Sequence, residues 1–297
     1  MRQVAREAAT PVTRLVDLPG RGVTRVWECP GPRGAQTLML IHGVACTAEL
    51  NWGKVLAPLG LEFRVVAADL RGHGDGISPG SRFRLEDCAD DVAALAAALG
   101  IGSFTAVGYS MGGMVAQLMY RRHAALLSGL VLCCTAGHVR GSPTEMLAAL
   151  ALPTAAAAIR WNPILARASA DVLGMTLLGH VDDPATARWA RAQLSRTTLV
   201  TAVSAIQAVC EFRSDGWIGQ VDVPTAVVVT ARDRIVPLGR QLRLARAVPG
   251  ASVHQVAADH GMCVNAPQLF ARTLIEACSA IQPGRALAAP CRSGGPG

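Results

Sequence analysis

Short apolar stretches recur along the chain and predict the strands of a sheet. Residues 12–17 and 22–28 alternate apolar and polar positions on either side of the turn Leu18-Pro19-Gly20-Arg21, which predicts an antiparallel hairpin. The next stretch, 37–41, is nearly continuous in apolar residues, as expected for a strand covered on both faces. Five further strands are predicted over residues 63–68, 104–107, 129–134, 225–230 and 252–257.

Helical spacing of apolar residues follows several of these predicted strands. It indicates helices over residues 85–99, 111–125, 238–247 and 267–281, and Gly100 is a suitable C-terminal cap for the first. The repeated order of strand, loop and helix, combined with the right-handed crossover rule, predicts the α/β class. We expect a mostly parallel eight-stranded sheet with helices on both faces.

The pattern changes between residues 137 and 218. No strand-like run occurs there, and alanine- and leucine-rich helical stretches follow one another with prolines between them. An insertion of this length within an α/β sheet predicts a helical cap over a binding site. We therefore expect an α/β core at 1–136 and 219–281, a helical cap at 137–218, and a tail at 282–297 that does not order.

Composition favours a folded protein that acts on small molecules. Of 297 residues, 51% are hydrophobic and 16% charged, which excludes disorder for most of the chain. The net charge of +7 comes almost entirely from scattered arginines, and aromatic residues make up only 4%. Because nucleic-acid binding proteins gather basic residues into a patch, we expect a small-molecule substrate and no nucleic acid. Nothing in the pattern indicates an oligomeric state.

Membrane, metal and cofactor signals are absent from the sequence. Residues 1–11 lack the apolar core of a signal peptide, and no uninterrupted apolar run reaches the ~18 residues of a membrane span. The alanine-rich stretch 147–159 is broken by Pro153 and predicts a buried or cap helix. No pair among the nine cysteines has metal-binding spacing, so we expect reduced, mostly buried thiols in a cytoplasmic protein, without metal or cofactor.

The candidate chemistry centres on the pentapeptide Gly108-Tyr109-Ser110-Met111-Gly112. It has the form G-x-S-x-G between a predicted strand and a predicted helix, which is the pattern of a nucleophile elbow. A side chain at either glycine would press on neighbouring backbone, while the serine takes a strained conformation. Ser110 is therefore the candidate nucleophile, exposed at a helix N-terminus.

A serine nucleophile needs a base, and in folds with this elbow the acid and then the histidine follow the serine. His42 and His73 precede Ser110 and drop out. His260 is the preferred base because it begins a loop after the last predicted strand, and Gly261 behind it permits close approach. A structural or surface role is favoured for His123, His138, His180 and His254. Of these, His138 and His180 lie in or near the predicted cap and could touch substrate.

Two carboxylates are candidates for the acid that orients the base. Asp233 follows the predicted strand 225–230, at the edge of the sheet where sites of open α/β folds gather, although an aspartate there could also simply form a turn. Asp259 adjoins His260, but adjacent residues in extended backbone point to opposite sides. Asp233 is favoured.

An oxyanion hole requires two backbone donors. The N–H of Met111 lies at the predicted helix N-terminus, and a second donor is expected from the loop after the strand 37–41. We choose Val44, with Gly43 as the alternative.

Five ordered motifs resemble those of the α/β-hydrolase superfamily over residues 12–281. They are His42-Gly43 after a strand, Asp69-Leu70-Arg71-Gly72-His73-Gly74, the elbow from Gly108 to Gly113, Asp233 before Ile235-Val236-Pro237, and His260 seven residues before Pro267. The resemblance implies the α/β-hydrolase fold with an inserted cap, a triad of Ser110, Asp233 and His260, and an acyl-enzyme route. More narrowly, the chain looks like uncharacterised single-domain hydrolases of GC-rich bacteria.

The chain also departs from this superfamily pattern. Thr230 and Asp259 stand where many relatives have glycine. The loop after His42-Gly43 lacks the proline common in epoxide hydrolases and dehalogenases. Those enzymes need aspartate at the elbow, so Ser110 argues against both.

These observations predict a carboxylic-ester hydrolase. The leucine, alanine and methionine content of 137–218, with Trp161 and Trp189, favours a small apolar substrate. Hydrolysis of a lactone, a thioester or a carbon–carbon bond on the same triad remains an alternative, since a fold does not decide the bond. A non-catalytic ligand-binding protein on a hydrolase scaffold is the alternative from another class.

Overall fold

One eight-stranded sheet forms the centre of the molecule. The structure is a computed structural model and describes residues 10–80, 82–139 and 176–281. The strands are β1 (Val12–Leu18), β2 (Gly22–Cys29), β3 (Thr37–Ile41), β4 (Arg64–Ala68), β5 (Phe104–Tyr109), β6 (Leu127–Cys133), β7 (Thr225–Thr230) and β8 (Ser252–Val256). Their order is β1-β2-β4-β3-β5-β6-β7-β8. β2 pairs antiparallel with β1 and β4, and all other pairs are parallel. The predicted sheet is confirmed.

Helices cover both faces of this sheet. They are α1 (Ala48–Gly60), α2 (Leu85–Ala98), α3 (Met111–His123), α4 (Pro184–Leu194), α5 (Leu199–Glu211), α6 (Leu238–Ala247), α7 (Met262–Asn265) and α8 (Pro267–Ala280). Alternate residues of β3 enter opposite cores: Met39 joins Met114 of α3, whereas Leu38 joins Trp52 of α1 and Phe270 of α8. Burial on both faces is why this strand is apolar throughout.

The helix α1 was not predicted from the sequence. Gly53, Pro58 and Gly60 interrupt its pattern, and each of these residues disfavours a helix interior. The helix forms because the Thr47 side chain accepts a hydrogen bond from the Leu50 N–H and because one face is buried against the sheet. Burial of that face outweighs the weak local propensity.

The described part of the stretch 137–218 contains α4 and α5, between β6 and β7. Thr47 Oγ1 lies 2.8 Å from Gln193 Oε1 of α4, and Lys54 Nζ lies 5.4 Å from the centre of the Trp189 ring. The helix α4 therefore rests on α1. The stretch 147–159, Trp161 and the tail 282–297 lie outside the described residues.

Three further features of the described residues concern membranes, metals and thiols. No described helix is long and apolar enough to cross a membrane. Within the same residues, no group of three His, Cys, Asp or Glu side chains is arranged to hold a metal ion. Seven of the eight described cysteines are buried, and no disulfide joins any two of them.

Candidate active site

Ser110 lies in a tight turn between β5 and α3. Its backbone has φ +55° and ψ −117°, a strained conformation for a residue with a side chain. A Cβ on Gly108 would lie 2.2 Å from the Gly112 carbonyl oxygen, and a Cβ on Gly112 would lie 2.0 Å from the Ile41 carbonyl oxygen. The predicted steric requirement for glycine at both positions is confirmed.

The structure brings Ser110, His260 and Asp233 together. His260 Nε2 lies 3.0 Å from Ser110 Oγ, and His260 Nδ1 lies 2.8 Å from Asp233 Oδ2. The Asp233 side chain is fully buried, and the His260 side chain is nearly so. A carboxylate at Nδ1 favours the tautomer with its proton there, which leaves the Nε2 lone pair facing the Ser110 hydroxyl. This arrangement can remove the proton from a serine.

The Asp233 carboxylate is held on all sides. Its Oδ1 accepts hydrogen bonds from the Ile235 and Val236 N–H groups, each at 2.8 Å. Its Oδ2 accepts a hydrogen bond from Thr230 Oγ1 at 2.8 Å and also lies 2.8 Å from His260 Nδ1. The competing candidate, Asp259, instead accepts the Gly261 N–H at 3.0 Å and forms a local turn. The geometry therefore favours Asp233 over Asp259 as the partner of the base.

Two supporting residues were missed by sequence reasoning. Gln241 of α6 is buried; its Nε2 donates to the Val236 carbonyl at 2.6 Å, and its Oε1 accepts the Thr230 N–H at 3.0 Å. The Tyr109 hydroxyl donates to the His260 carbonyl at 2.5 Å. For Tyr109 the sequence signal is a polar group at the end of an apolar strand, whereas Gln241 lies in an arginine-rich helix and gives no such signal.

His42 and His73 are buried and hydrogen-bond to backbone groups of the loops beside the site. His42 Nε2 accepts the Leu70 N–H and Nδ1 donates to the Gly43 carbonyl, each at 2.8 Å. Burial is the main reason that the pKa of His42 is lowered to about 3 and that of His73 to about 4. Both rings are therefore neutral near pH 7, and neither contacts Ser110.

The other four histidines lie away from Ser110 in surface or strand positions. His180 is 89% exposed. Three pair with carboxylates: His123 with Asp90 at 2.8 Å, His138 with Asp215 at 2.9 Å and His180 with Asp182 at 3.3 Å. His254 lies within β8, and burial lowers its pKa. These placements agree with the structural or surface roles that the sequence favours.

The loop after β3 supplies the candidate oxyanion donors. The Gly43 N–H already donates to Asn51 Oδ1 at 2.7 Å. The Val44 N–H has no acceptor among the described residues, and Val44 lines the same cavity as Ser110. As the first residue of α3, Met111 has an N–H without an intrahelical partner. The geometry favours Val44 over Gly43 as the second donor.

A small cavity of about 20 Å³ adjoins Ser110 and His260. Such a volume holds roughly one water molecule. Leu177 and Leu178, from the inserted stretch, form part of its wall. The Leu178 carbonyl accepts Asn265 Nδ2 at 2.7 Å and lies so close to Gly261 that a Cβ there would be 2.2 Å away. The close approach predicted at Gly261 is confirmed, and it joins the inserted stretch to the loop of the base.

Comparisons with known proteins agree with this architecture. Residues 36–267 match the family model of the alpha/beta hydrolase fold, so the chain belongs to this family. An uncharacterised protein of Mycobacterium tuberculosis is 25% identical over 266 residues, which cover 84% of this chain and 75% of that protein.

Two solved structures have the same fold. The enol-lactonase from Burkholderia xenovorans superposes with a TM-score of 0.77 at 23% identity, over 90% of this chain and all of that one. A thermophilic esterase from Thermogutta terrifontis superposes with a TM-score of 0.74 at 24% identity, over 92% of this chain and 99% of that one. At these identities the likeness shows a shared fold alone.

Proposed function

We propose that the protein is a serine hydrolase that cleaves a carboxylic ester of a small apolar substrate through an acyl-enzyme. The observation that carries the proposal is the continuous relay from Ser110 Oγ to His260 Nε2 at 3.0 Å and from His260 Nδ1 to Asp233 Oδ2 at 2.8 Å. Family membership supports hydrolysis as the class of reaction.

The proposed reaction has two halves. Ser110 Oγ attacks the acyl carbon while its proton passes to His260 Nε2, and the negative oxygen that develops faces the N–H groups of Val44 and Met111. Collapse of this intermediate expels the alcohol, which takes the proton from His260. Water then attacks the acyl-enzyme with His260 as base, and the acid is released from Ser110. Asp233 stabilises the positive charge on His260 in both halves.

The apolar wall of the cavity supports an apolar substrate. Val44, Leu177 and Leu178 line it. We infer that residues 137–218 act as a cap, and that Leu177 and Leu178 are the part of it that meets the acyl group. Trp189 packs beneath Lys54 of α1, which gives it a structural role in the contact between α4 and α1.

The alternatives share this relay. An activated lactone, thioester or carbon–carbon bond presents the same carbonyl carbon to Ser110, and an enol-lactonase has the same fold. A purely ligand-binding protein has no need of a serine hydroxyl in hydrogen-bond contact with an oriented histidine. The complete relay therefore favours turnover over binding.

Hydrolysis of p-nitrophenyl esters of graded acyl length tests the proposal. We expect the Ser110→Ala variant to lose about a thousandfold or more in kcat/KM, because its nucleophile is gone. Ser279→Ala, at a serine of α8 outside the site, is the matched control and retains activity. Equal rates for Ser110→Ala and the wild type would remove Ser110 from the mechanism.

A further inference from the structure

Asn51 is a buried polar residue of α1 that the proposed mechanism does not use. It is only 2% exposed. Its Oδ1 accepts the Gly43 N–H at 2.7 Å, and its Nδ2 donates to Cys263 Sγ of α7 at 3.2 Å. A single side chain thus joins the loop after β3 to the helix that follows His260.

Gly43 lies directly against the nucleophile. A Cβ on Gly43 would be 3.4 Å from the Ser110 Cβ and 3.5 Å from Asn51 Oδ1. The Gly43 carbonyl accepts hydrogen bonds from His42 Nδ1 at 2.8 Å and from the Cys46 N–H at 3.4 Å, and the Gly43 N–H donates to Asn51, so both polar groups of this glycine have partners. A glycine whose two peptide planes were not held would rotate easily at this position.

The orientation of Gly43 decides where the Val44 N–H points. The Gly43 carbonyl and the Val44 N–H belong to one planar trans peptide and point in opposite directions. His42 Nδ1 and the Cys46 N–H bind the carbonyl of that peptide plane, and Asn51 Oδ1 binds the N–H of the plane before it. Without an acceptor at Asn51, the Gly43 N–H would be a buried unpaired donor, which favours reorientation of the loop.

We propose that Asn51 is a positioning residue for the oxyanion hole, acting through Gly43 on the Val44 N–H. The inference rests on the proposed function. Removing one oxyanion donor lowers kcat by about 100- to 1000-fold in other hydrolases, and a misaligned donor loses part of that effect. Asn51 therefore contributes to kcat and not to substrate binding.

The first test is the Asn51→Leu variant, which keeps the size of the side chain and removes the acceptor. The rate at which a fluorophosphonate labels Ser110 is measured together with kcat and KM for an ester. We expect the labelling rate and kcat to fall about tenfold or more while KM changes less than about twofold. Cys263→Ala, which removes the acceptor of Nδ2 and leaves the Gly43 contact, serves as the matched variant and loses less.

The second test is Asn51→Asp, which retains an acceptor for Gly43. When its carboxyl is protonated, it also keeps a donor toward Cys263; when ionised, it places a negative charge beside the developing oxyanion. The labelling rate of this variant, divided by that of the wild type, is therefore expected to fall as pH rises. A ratio that does not change with pH would contradict the proposal.

The outcomes separate this inference from the proposed function. If the wild type is not labelled at Ser110, both are overturned. If the wild type is labelled and folded Asn51→Leu reacts within about twofold of it, only the role of Asn51 is overturned. A loss in Cys263→Ala as large as that in Asn51→Leu would also overturn the role assigned through Gly43. If Asn51→Leu does not fold, a pH-independent ratio for Asn51→Asp overturns it.

Discussion

At the scale of single residues, the site depends on side chains that hold the reacting groups in place. Asp233 Oδ2 lies within hydrogen-bond distance of Thr230 Oγ1 and His260 Nδ1. Asp233 Oδ1 accepts hydrogen bonds from two backbone N–H groups. The Thr230 hydroxyl adds a side-chain donor to the two backbone donors at Asp233.

Thr230→Val tests this contact, because valine keeps the shape and removes the donor. We expect kcat to fall about tenfold with KM little changed, which corresponds to the loss of one hydrogen bond to a charged group. Steady-state ester hydrolysis provides the measurement. Thr273→Val, where the hydroxyl donates to the Leu269 carbonyl of its own helix, is the control. A kcat equal to that of the wild type would show that Thr230 does not support Asp233.

The three proposed reacting residues could be chosen from sequence, whereas their supports could not. Ser110, Asp233 and His260 follow recognisable strands, and their order along the chain is a signal in itself. Asn51, Gln241 and Tyr109 act through contacts with residues 8, 11 and 151 positions away. Such contacts depend on how the helices pack, which local patterns do not specify.

At the scale of elements, the elbow is a close contact between the start of α3 and the end of β3. Gly112 lies in the first turn of α3, against the carbonyls of Ile41 and His42. The position of Ser110 therefore depends on how near the helix approaches the strand. Any side chain at Gly112 pushes these elements apart.

Gly112→Ala is expected to lower both stability and hydrolysis, since its Cβ would meet the Ile41 carbonyl at 2.0 Å. We expect a decrease in the free energy of unfolding of about 2 kcal/mol or more, as for other overpacked sites. The matched control is Gly239→Ala in α6, where a Cβ meets nothing within 4 Å and helix propensity predicts a gain of up to about 1 kcal/mol. Urea unfolding measures both, and unchanged stability in Gly112→Ala would contradict the account.

Strands were easier to predict than helices in this chain. The strands β3 and β7 and the helix α6 have the predicted bounds, because apolar runs and helical spacing are unbroken there. The helix α1 escaped prediction because its glycines and proline mask the pattern, and the four-residue α7 is too short to show a period. Packing on the sheet stabilises such segments where propensity does not.

At the scale of the whole molecule, the sheet brings distant parts of the chain to one edge. Ser110 follows β5, Asp233 follows β7 and His260 follows β8, so residues up to 150 positions apart meet where parallel strands end. His42 and His73 are buried near the same edge, with ring centres 5.2 Å apart. Two buried neutral rings link the stability of the fold to pH.

We expect the free energy of unfolding to fall on acidification. Unfolded histidines bind protons near pH ~6.5, whereas in the folded protein the pKa of His73 is about 4 and that of His42 about 3. Between these values the unfolded state holds more protons, so stability decreases as pH falls from ~6.5 toward 4, and for His42 toward 3. Each histidine contributes at most ~1.4 kcal/mol per pH unit.

Urea unfolding at a series of pH values measures this dependence. His73→Phe removes one of the two titrating groups, and its stability should fall less steeply below pH ~6.5 than that of the wild type. His180→Gln, at an exposed histidine, is the control and should match the wild type. An equal slope for His73→Phe and the wild type would show that His73 does not titrate as described.

The central claim is that Ser110 becomes acylated. The most direct measurement is mass spectrometry of the protein quenched during turnover of p-nitrophenyl acetate, with the modified peptide sequenced. We expect an acetyl group on Ser110 in the wild type and none in Ser110→Ala. Ester hydrolysis with no acyl group on Ser110, or with the acyl group on another residue, would contradict it.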